Sequence, residues 1–178
     1  GQKMDHLNKI VEQILDFART TEPQLAPVSL NELIEELGLL VRHKLQHQNI
    51  RLTRDLEPDL PPVMGAATQL EQAFLNLILN AAEAMPEGGE LTIRSRRARL
   101  PRSGTGPAHV ALEFQDTGQG MSEEQRRHAF KSVLSTTKTK GTVLGLAIVA
   151  RIVEAHRGKM KIRSRPGQGT TVTVFLPQ

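Results

Sequence analysis

The stretch Asn76-Leu77-Ile78-Leu79-Asn80-Ala81-Ala82-Glu83-Ala84 places two asparagines one helical turn apart in an otherwise apolar segment. Residues four apart lie on the same face of a helix, so the amides of Asn76 and Asn80 point the same way. The apolar residues around them predict a buried helix over 68–85. Because an unpaired buried amide costs about 1–3 kcal/mol, the pair either forms hydrogen bonds within the core or offers its oxygens to a hard cation such as Mg²⁺.

A second segment, Asp116-Thr117-Gly118-Gln119-Gly120-Met121, follows a predicted strand over 109–115. Its two glycines allow the backbone to come close to a flat ring, and the carboxylate of Asp116 can accept a hydrogen bond from an exocyclic amine. The same pattern is also typical of an ordinary turn at the end of a strand. Alone, it leaves both interpretations open.

A third segment, residues 141–149, reads Gly-Thr-Val-Leu-Gly-Leu-Ala-Ile-Val and predicts a glycine-bearing loop that opens a helix over 144–156. The free amides and the positive dipole end of a helix start suit phosphate oxygens. The preceding residues 132–142 are rich in Ser, Thr and Lys, which indicates a mobile loop. A glycine-rich helix start does not identify a phosphate site by itself.

The remaining patterns predict the architecture. Ser29 with Glu32 and Thr68 with Glu71 form capping-box patterns ahead of two helices. Because the predicted strands mostly follow one another as hairpins, we expect an α/β (α+β) fold, a two-layer sandwich of a mixed β-sheet packed against helices. Alternating apolar and polar residues predict the strands 50–56, 90–97, 109–115, 159–165 and 170–176.

A separate apolar stripe marks residues 3–22, where Met4, Leu7 and Val11 recur at helical spacing. Pro23 cannot continue a helix and ends the pattern. A helix with such a stripe needs a partner surface, and the most natural one is another helix of the parent protein or of a second copy.

Composition narrows the function classes. The 178 residues include no Cys, Trp or Tyr, only 3% are aromatic, and the net charge is +4. Surfaces that stack nucleic-acid bases need aromatic side chains, so we expect no nucleic-acid partner. The lack of Cys excludes disulfides and thiolate metal sites and fits a cytoplasmic location. No apolar run reaches the roughly 20 residues that cross a bilayer, so any membrane attachment would lie outside these residues.

Two other groups of residues have simple explanations. His43 and His47 lie one turn apart, but no third ligand is evident, so a surface position is favoured over a metal site. Arg94 and Arg96 alternate along a predicted strand, and a solvated face explains them better than DNA binding.

In their order and spacing, the first three segments resemble the N, G1 and G2 boxes of the histidine kinase catalytic domain. That domain belongs to an ATP-binding superfamily that includes gyrase, Hsp90 and MutL. The resemblance covers roughly residues 28–178, and residues 3–22 resemble the second helix of the family's dimerisation stem. It implies two units: the end of the stem at 1–26 and an ATP-binding domain of the Bergerat fold at 27–178.

The resemblance also implies roles for individual residues. Asn80 would ligate the Mg²⁺ that bridges the ATP phosphates, with Asn76 supporting that end of the site. Asp116 would bind the adenine amine, and Thr171 would lie near the adenine. The other implied nucleotide-binding residues are Gly118, Gly120, Met121, Lys138, Lys140, Gly141, Thr142, Gly145 and Leu146.

Two positions depart from the family pattern, and both fall in its nucleotide lid. The pattern Gly-Thr-Gly-Leu-Gly has Val143 at its central glycine, and a β-branched residue does not readily adopt positive φ or allow close backbone approach. The usual Phe-Phe of the F box appears as Leu134-Ser135. These changes keep a second hypothesis open: a degenerate nucleotide-binding or interaction module with impaired catalysis.

As a whole, the resemblance implies a protein histidine kinase. Hydrolysing members of the superfamily carry Glu one turn before the metal-binding Asn, and Asn76 at that position favours phosphate transfer over hydrolysis. The phosphate would pass from ATP to a histidine on a stem helix outside this chain, and then to an aspartate of a response-regulator receiver domain. The full-length protein would form a homodimer through its stem helices. His6 lacks the flanking residues of the family's acceptor, so we expect this chain not to phosphorylate itself.

Overall fold

The computed structural model describes residues 24–99, 106–119 and 141–178, with the backbone alone at 141–145. The predicted stem helix over 3–22 lies outside the described residues. The described elements are β1 (Ala26–Val28), α1 (Leu30–His47), β2 (Ile50–Leu56), β3 (Val63–Gly65), α2 (Ala67–Glu83), β4 (Gly89–Arg99), β5 (Ala108–Asp116), α3 (Gly141–Ala155), β6 (Lys159–Ser164) and β7 (Thr170–Pro177). None of the described helices is long and apolar enough to span a membrane.

The main sheet has five strands in the order β2-β4-β5-β7-β6. Strands β2 and β4 are parallel, because the chain between them crosses over through α2, whereas the other three pairs are antiparallel. The expected mixed sheet is therefore confirmed. A second, two-stranded sheet pairs β1 with β3 and brings Ala26, the last residue of the predicted stem unit, opposite Gly65.

The two faces of the main sheet differ in chemistry. On β5 and β7, the apolar residues Leu112, Phe114, Val172 and Val174 are buried in the same core as the helices. Phe74 of α2 packs on Phe114 with ring centroids 5.8 Å apart. The opposite face is mostly polar and is lined by Arg96, Glu113, Gln115, Lys161, Arg163, Thr171, Thr173 and the aromatic side chain of Phe175. The sheet therefore carries one helical layer on its apolar face, as expected.

Of the two predicted capping boxes, the first has its N-cap hydrogen bond in the structure and the second does not. Ser29 is the N-cap of α1, and its hydroxyl accepts a hydrogen bond from the Glu32 amide at 3.4 Å. Helix α2, in contrast, has Ala66 as its N-cap, and no side chain among the described residues caps it from that position. Thr68 lies inside the first turn, so the box predicted for Thr68 and Glu71 is wrong.

Candidate functional site

Helix α2 holds the two asparagines at different depths. Its other buried residues, among them Ala73, Phe74, Leu77 and Ile78, face the core, and this apolar surface fixes the rotation of the helix. Asn76 is 4% exposed, whereas Asn80 is half-buried near the end of the helix. The residue toward the core is thus Asn76, and the residue at the edge of the core is Asn80.

The carboxamide of Asn80 has chemistry that suits a ligand. Its Nδ2 atom is covered and has no hydrogen-bond partner within the described part of the chain. A buried amide without partners is costly, so such a group is uncommon in a side chain that only fills the core. A neutral amide oxygen is also a ligand that Mg²⁺ accepts.

Asp116 is the last residue of β5, and its carboxylate is held in a fixed orientation. Oδ1 accepts hydrogen bonds from the backbone amides of Gly118 at 2.8 Å and Thr170 at 3.2 Å. Within residues 24–99, 106–119 and 141–178, no donor reaches Oδ2. One oxygen is therefore anchored while the other remains available to a ligand.

Burial gives this carboxylate an altered acidity. The side chain is 9% exposed, and desolvation raises the pKa of Asp116 above its ordinary value of 3.8, while the amides of Gly118 and Thr170 oppose that rise. A strong donor to Oδ2 would compensate for the lost hydration. An exocyclic amine is such a donor.

The turn after β5 packs directly on the end of α2. The Gln119 amide donates to the carbonyl oxygen of Ala84, the C-cap of α2, at 3.2 Å. A Cβ atom on Gly118 would lie 2.5 Å from that oxygen, so only glycine fits this contact. Ala84 follows Asn80 by one turn, a rise of about 5–6 Å. Asn80 and Asp116 consequently lie on the same side of the molecule, around one junction.

The hairpin between β6 and β7 closes the other side of this junction, where the sequence analysis named only Thr171. Gly169 has φ +81°, and a Cβ atom there would overlap the carbonyl oxygen of Asp116. Gly167 donates its amide to the carbonyl oxygen of Gln119 at 2.6 Å. The sequence Pro-Gly-Gln-Gly indicated a turn here, but a turn pattern does not tell which strand end the turn packs against.

Thr171 is the residue that the structure does not bring to the site. It pairs with Gln115 in the register of β5 and β7 and lines the polar outer face of the sheet. Asp116 pairs instead with Thr170, whose amide is the one that reaches the carboxylate. Side chains alternate along a strand, so a shift of one residue moves a side chain to the other face. The side chain of Thr171 therefore lies on the outer face, whereas Thr170 supplies the amide beside the carboxylate.

The third segment begins its helix earlier than the pattern predicts. Helix α3 already includes Gly141 and Thr142, so these residues and Gly145 lie in its first turns instead of in a loop. Leu146, at 4% exposure, is part of the core. Val143 is helical here, and its backbone needs no positive φ. The implied ligands Gly120, Met121, Lys138 and Lys140 lie outside the described residues, as do Leu134 and Ser135.

Helices α2 and α3 pack side by side, with the end of α3 at the start of α2. The Ala66 amide, at the N-cap of α2, donates to Nε2 of His156, the residue after α3, at 3.0 Å. The helices have similar lengths, 17 and 15 residues. The first turn of α3 therefore lies toward the end of α2 that carries Asn80, so the three predicted segments lie at the same end of these helices.

Comparison with known proteins identifies the family of this chain. Residues 65–178 match the family model described as histidine kinase-, DNA gyrase B- and HSP90-like ATPase. The chain belongs to this ATPase family. The matched segment contains α2, the turn after β5, α3 and the β6–β7 hairpin, and thus every element of the candidate site.

Curated members of the ATPase family align with nearly the whole chain. The signal transduction histidine-protein kinase AtoS of Escherichia coli is 32% identical over 176 residues, 99% of this chain and 28% of AtoS. The sensor histidine kinase ZraS of Klebsiella oxytoca is 35% identical over 177 residues, 99% of this chain and 37% of ZraS. This chain spans about a third of the length of these relatives.

Solved structures of histidine kinases share the fold of this ATPase chain. Full-length ShkA in complex with AMPPNP superposes with a TM-score of 0.81 at 27% identity, over 99% of this chain and 36% of ShkA. The nucleotide-free catalytic domain of ThkA gives a TM-score of 0.73 at 30% identity, over 86% of this chain and 95% of that domain. ThkA in complex with the response regulator TrrA superposes with a TM-score of 0.78 at 25% identity, over 99% of this chain and 48% of ThkA.

Proposed function

We propose that this chain binds Mg²⁺·ATP in the cleft between α2, the turn after β5 and the start of α3, and donates the γ-phosphate to a protein histidine. The observation that carries the proposal is Asp116, which has one oxygen anchored by two backbone amides and the other oxygen without a donor among the described residues. Membership of an ATPase family and the AMPPNP complex of the similar protein ShkA support ATP as the ligand.

The carboxylate of Asp116 would select adenine through its exocyclic amine. The amine donates to Oδ2, and because Oδ1 is already fixed, little side-chain freedom is lost on binding. Guanine places a carbonyl oxygen where adenine has the amine, and that oxygen would face the carboxylate without a proton between them. A buried carboxylate oxygen left without a donor costs free energy, so guanine should bind much more weakly than adenine. Gly118 and Thr170 act as positioning groups for this contact, and Gly120 and Met121 would complete the pocket wall.

The residues at the other end of the cleft fit a magnesium ion. Asn80 would supply an amide oxygen as one ligand, with Asn76 beneath it, and the phosphates would supply further oxygens. When bound, the ion would neutralise charge on the triphosphate and on the departing ADP. The first turn of α3, with Gly141, Thr142, Gly145 and Leu146, would direct its free amides at the phosphate oxygens. Lys138 and Lys140 would add positive charge there.

The arrangement favours transfer over hydrolysis. Asn76 occupies the place from which a glutamate could activate water, and an amide cannot take up that proton. In the transfer step, a ring nitrogen of the acceptor histidine would form a bond to the γ-phosphorus as the bond from phosphorus to the ADP oxygen breaks. The contribution of this chain is then to hold ATP in line and to stabilise charge.

The parent protein would use this domain within a phosphorelay. Residues 1–26 would form the end of a dimerisation stem, and two copies would associate through such stems. The phosphohistidine would pass its phosphate to an aspartate of a response-regulator receiver domain. The similar proteins AtoS and ZraS are histidine kinases, and the similar protein ThkA forms a complex with a response regulator. Both observations support a phosphorelay.

Binding and transfer are tested separately. Isothermal titration calorimetry of the chain with ATP and GTP, each with Mg²⁺, should show binding of ATP and a much weaker response to GTP. The stem of the parent protein, supplied as a separate polypeptide with γ-labelled ATP, should then acquire acid-labile phosphate. The same stem with glutamine in place of its histidine is the control. Binding without transfer would favour the degenerate module, acid-stable phosphate would indicate a serine, and no nucleotide binding at all would refute the proposal.

A further inference from the structure

His156 is a buried histidine that the proposed chemistry does not use. It is 4% exposed and directly follows α3. Its Nδ1 lies 2.7 Å from the carbonyl oxygen of Ile152, and its Nε2 lies 3.0 Å from the amide nitrogen of Ala66. A carbonyl oxygen needs a donor and an amide needs an acceptor, so these partners fix the neutral tautomer with its proton on Nδ1.

The bond to Ala66 replaces a cap that α2 lacks. Alanine has no side-chain acceptor, and no cap from Ala66 itself is formed within the described chain. Gln69 occupies the third helical position, from which a Glu or Gln side chain can reach back to the N-cap amide. Its Oε1 nonetheless has no hydrogen-bond partner among the described residues. The amide at the start of α2 is instead satisfied by a residue 90 positions later.

The surroundings of His156 leave its ring little freedom. A Cβ atom on Gly65 would lie 3.2 Å from Cδ2 of His156, so the backbone of β3 closes over the ring. On the other side, the Gly158 amide donates to the carbonyl oxygen of Val153 at 2.9 Å. A Cβ atom on Gly158 would overlap the carbonyl oxygen of Phe175 in β7. The end of α3 is thus held between β3 and β7.

We propose that His156 is a positioning residue that sets the lengthwise register of α3 against α2. The inference rests on the proposed function, in which the opposite ends of these two helices hold the triphosphate. Because backbone hydrogen bonds hold the rise per residue of an α-helix nearly constant, a shift at the His156 end would move the first turn of α3 relative to Asn80 by a similar distance. A displacement of about 1 Å is enough to weaken contacts that depend on geometry.

A pair of variants that differ by one methylene group separates the two hydrogen bonds of the ring. In His156→Gln, the amide oxygen can take the place of Nε2 and accept from Ala66. In His156→Asn, the shorter amide can replace Nδ1 and donate to Ile152, but it cannot reach Ala66. We expect His156→Gln to bind Mg²⁺·ATP within about twofold of the original chain, and His156→Asn to bind about tenfold more weakly.

Adenosine distinguishes positioning from a general loss of structure. It contacts the Asp116 end and carries no phosphate, so its dissociation constant should be unchanged in His156→Asn. Val41→Ala, a buried truncation in α1, serves as a variant that lowers the free energy of unfolding and leaves both hydrogen bonds of His156 in place. Equal ATP affinity in His156→Asn and His156→Gln, or parallel losses for ATP and adenosine, would overturn the inference. Absence of ATP binding in the unmodified chain would instead refute the proposed function.

Discussion

The adenine end and the phosphate end of the proposed cleft are held together in different ways. At the adenine end, backbone amides from the β5 turn and from β7 anchor Asp116, and Gly169 packs on its carbonyl oxygen. At the phosphate end, the amide nitrogen of Asn80 has no partner among the described residues. The proposed base site would therefore be preorganised by the fold, whereas the contacts of Asn80 would be completed only by the proposed ligand, and the two ends should respond differently to mutation.

The largest expected effect lies in the backbone contact that supports the adenine end. In Gly169→Ala, the new Cβ atom overlaps the carbonyl oxygen of Asp116 at a residue with φ +81°. We expect the free energy of unfolding to fall by about 2–4 kcal/mol. Gly167→Ala is the matched control, because its φ is +77° and nothing lies within 4 Å. It should cost only about 1–2 kcal/mol. Urea denaturation of both variants measures the difference, and equal losses would show that the contact is unimportant.

The next effect concerns base recognition. In Asp116→Asn, Oδ1 still accepts from Gly118 and Thr170, but an NH₂ group replaces Oδ2 and meets the adenine amine as donor against donor. A hydrogen bond to a charged group contributes about 1.5–3 kcal/mol, so the dissociation constant for ATP should rise about 10- to 100-fold. Calorimetry gives the value. Glu113→Gln, on the outer face of the same strand, should leave it unchanged, and an unaltered constant for Asp116→Asn would place the base elsewhere.

A smaller effect is expected at the phosphate end. Asn80→Ala removes one of several oxygen ligands to the metal, so we expect Mg²⁺·ATP to bind about tenfold more weakly, equivalent to 1.4 kcal/mol. With EDTA present, the variant and the original chain should bind ATP equally. A loss of the same size with and without Mg²⁺ would mean that Asn80 supports the fold instead of the metal.

The raised pKa of Asp116 predicts a pH effect on stability. Below the ordinary value of 3.8, the group is protonated in both the folded and the unfolded chain and has no effect. As the pH rises above 3.8, the unfolded chain ionises first, and the folded chain loses stability until its own, higher pKa is passed. Urea denaturation between pH 4 and pH 7 should therefore show Asp116→Asn gaining stability relative to the original chain as the pH rises. If Asp116→Asn instead lost stability relative to the original chain as the pH rises, this prediction would be wrong.

The smallest effect concerns Val143 at the start of α3. Because its backbone is helical, the objection from positive φ does not apply here, and only the bulk of its side chain can hinder the phosphates. We expect Val143→Gly to bind Mg²⁺·ATP about threefold more tightly, since part of the gain is offset by the poor helix propensity of glycine. Val143→Ala should fall between the two in a titration. Unchanged or weaker binding in the glycine variant would remove the argument about the lid.

The sequence predicted the elements well, because the apolar alternation of β5 and β7 and the helical spacing in α2 are local signals. It placed Asp116 correctly at the end of its strand. It did not predict that the Thr170 amide holds that side chain, because the contact joins residues 54 positions apart. The same limit explains His156, whose bond to Ala66 replaces the local cap predicted at Thr68. Thr171 is a further example, because the alternation along β7 places its side chain on the outer face, one residue from the amide that contacts Asp116.

The open oxygen of Asp116 also has a consequence for small-molecule chemistry. A flat heterocycle with an amino group could bind at this carboxylate without carrying any phosphate. Such a compound would need neither Mg²⁺ nor the first turn of α3, so its affinity should be insensitive to chelators and only weakly dependent on ionic strength. Screening of small aromatic amines for binding at the Asp116 carboxylate is therefore a rational starting point for inhibitors that compete with the nucleotide.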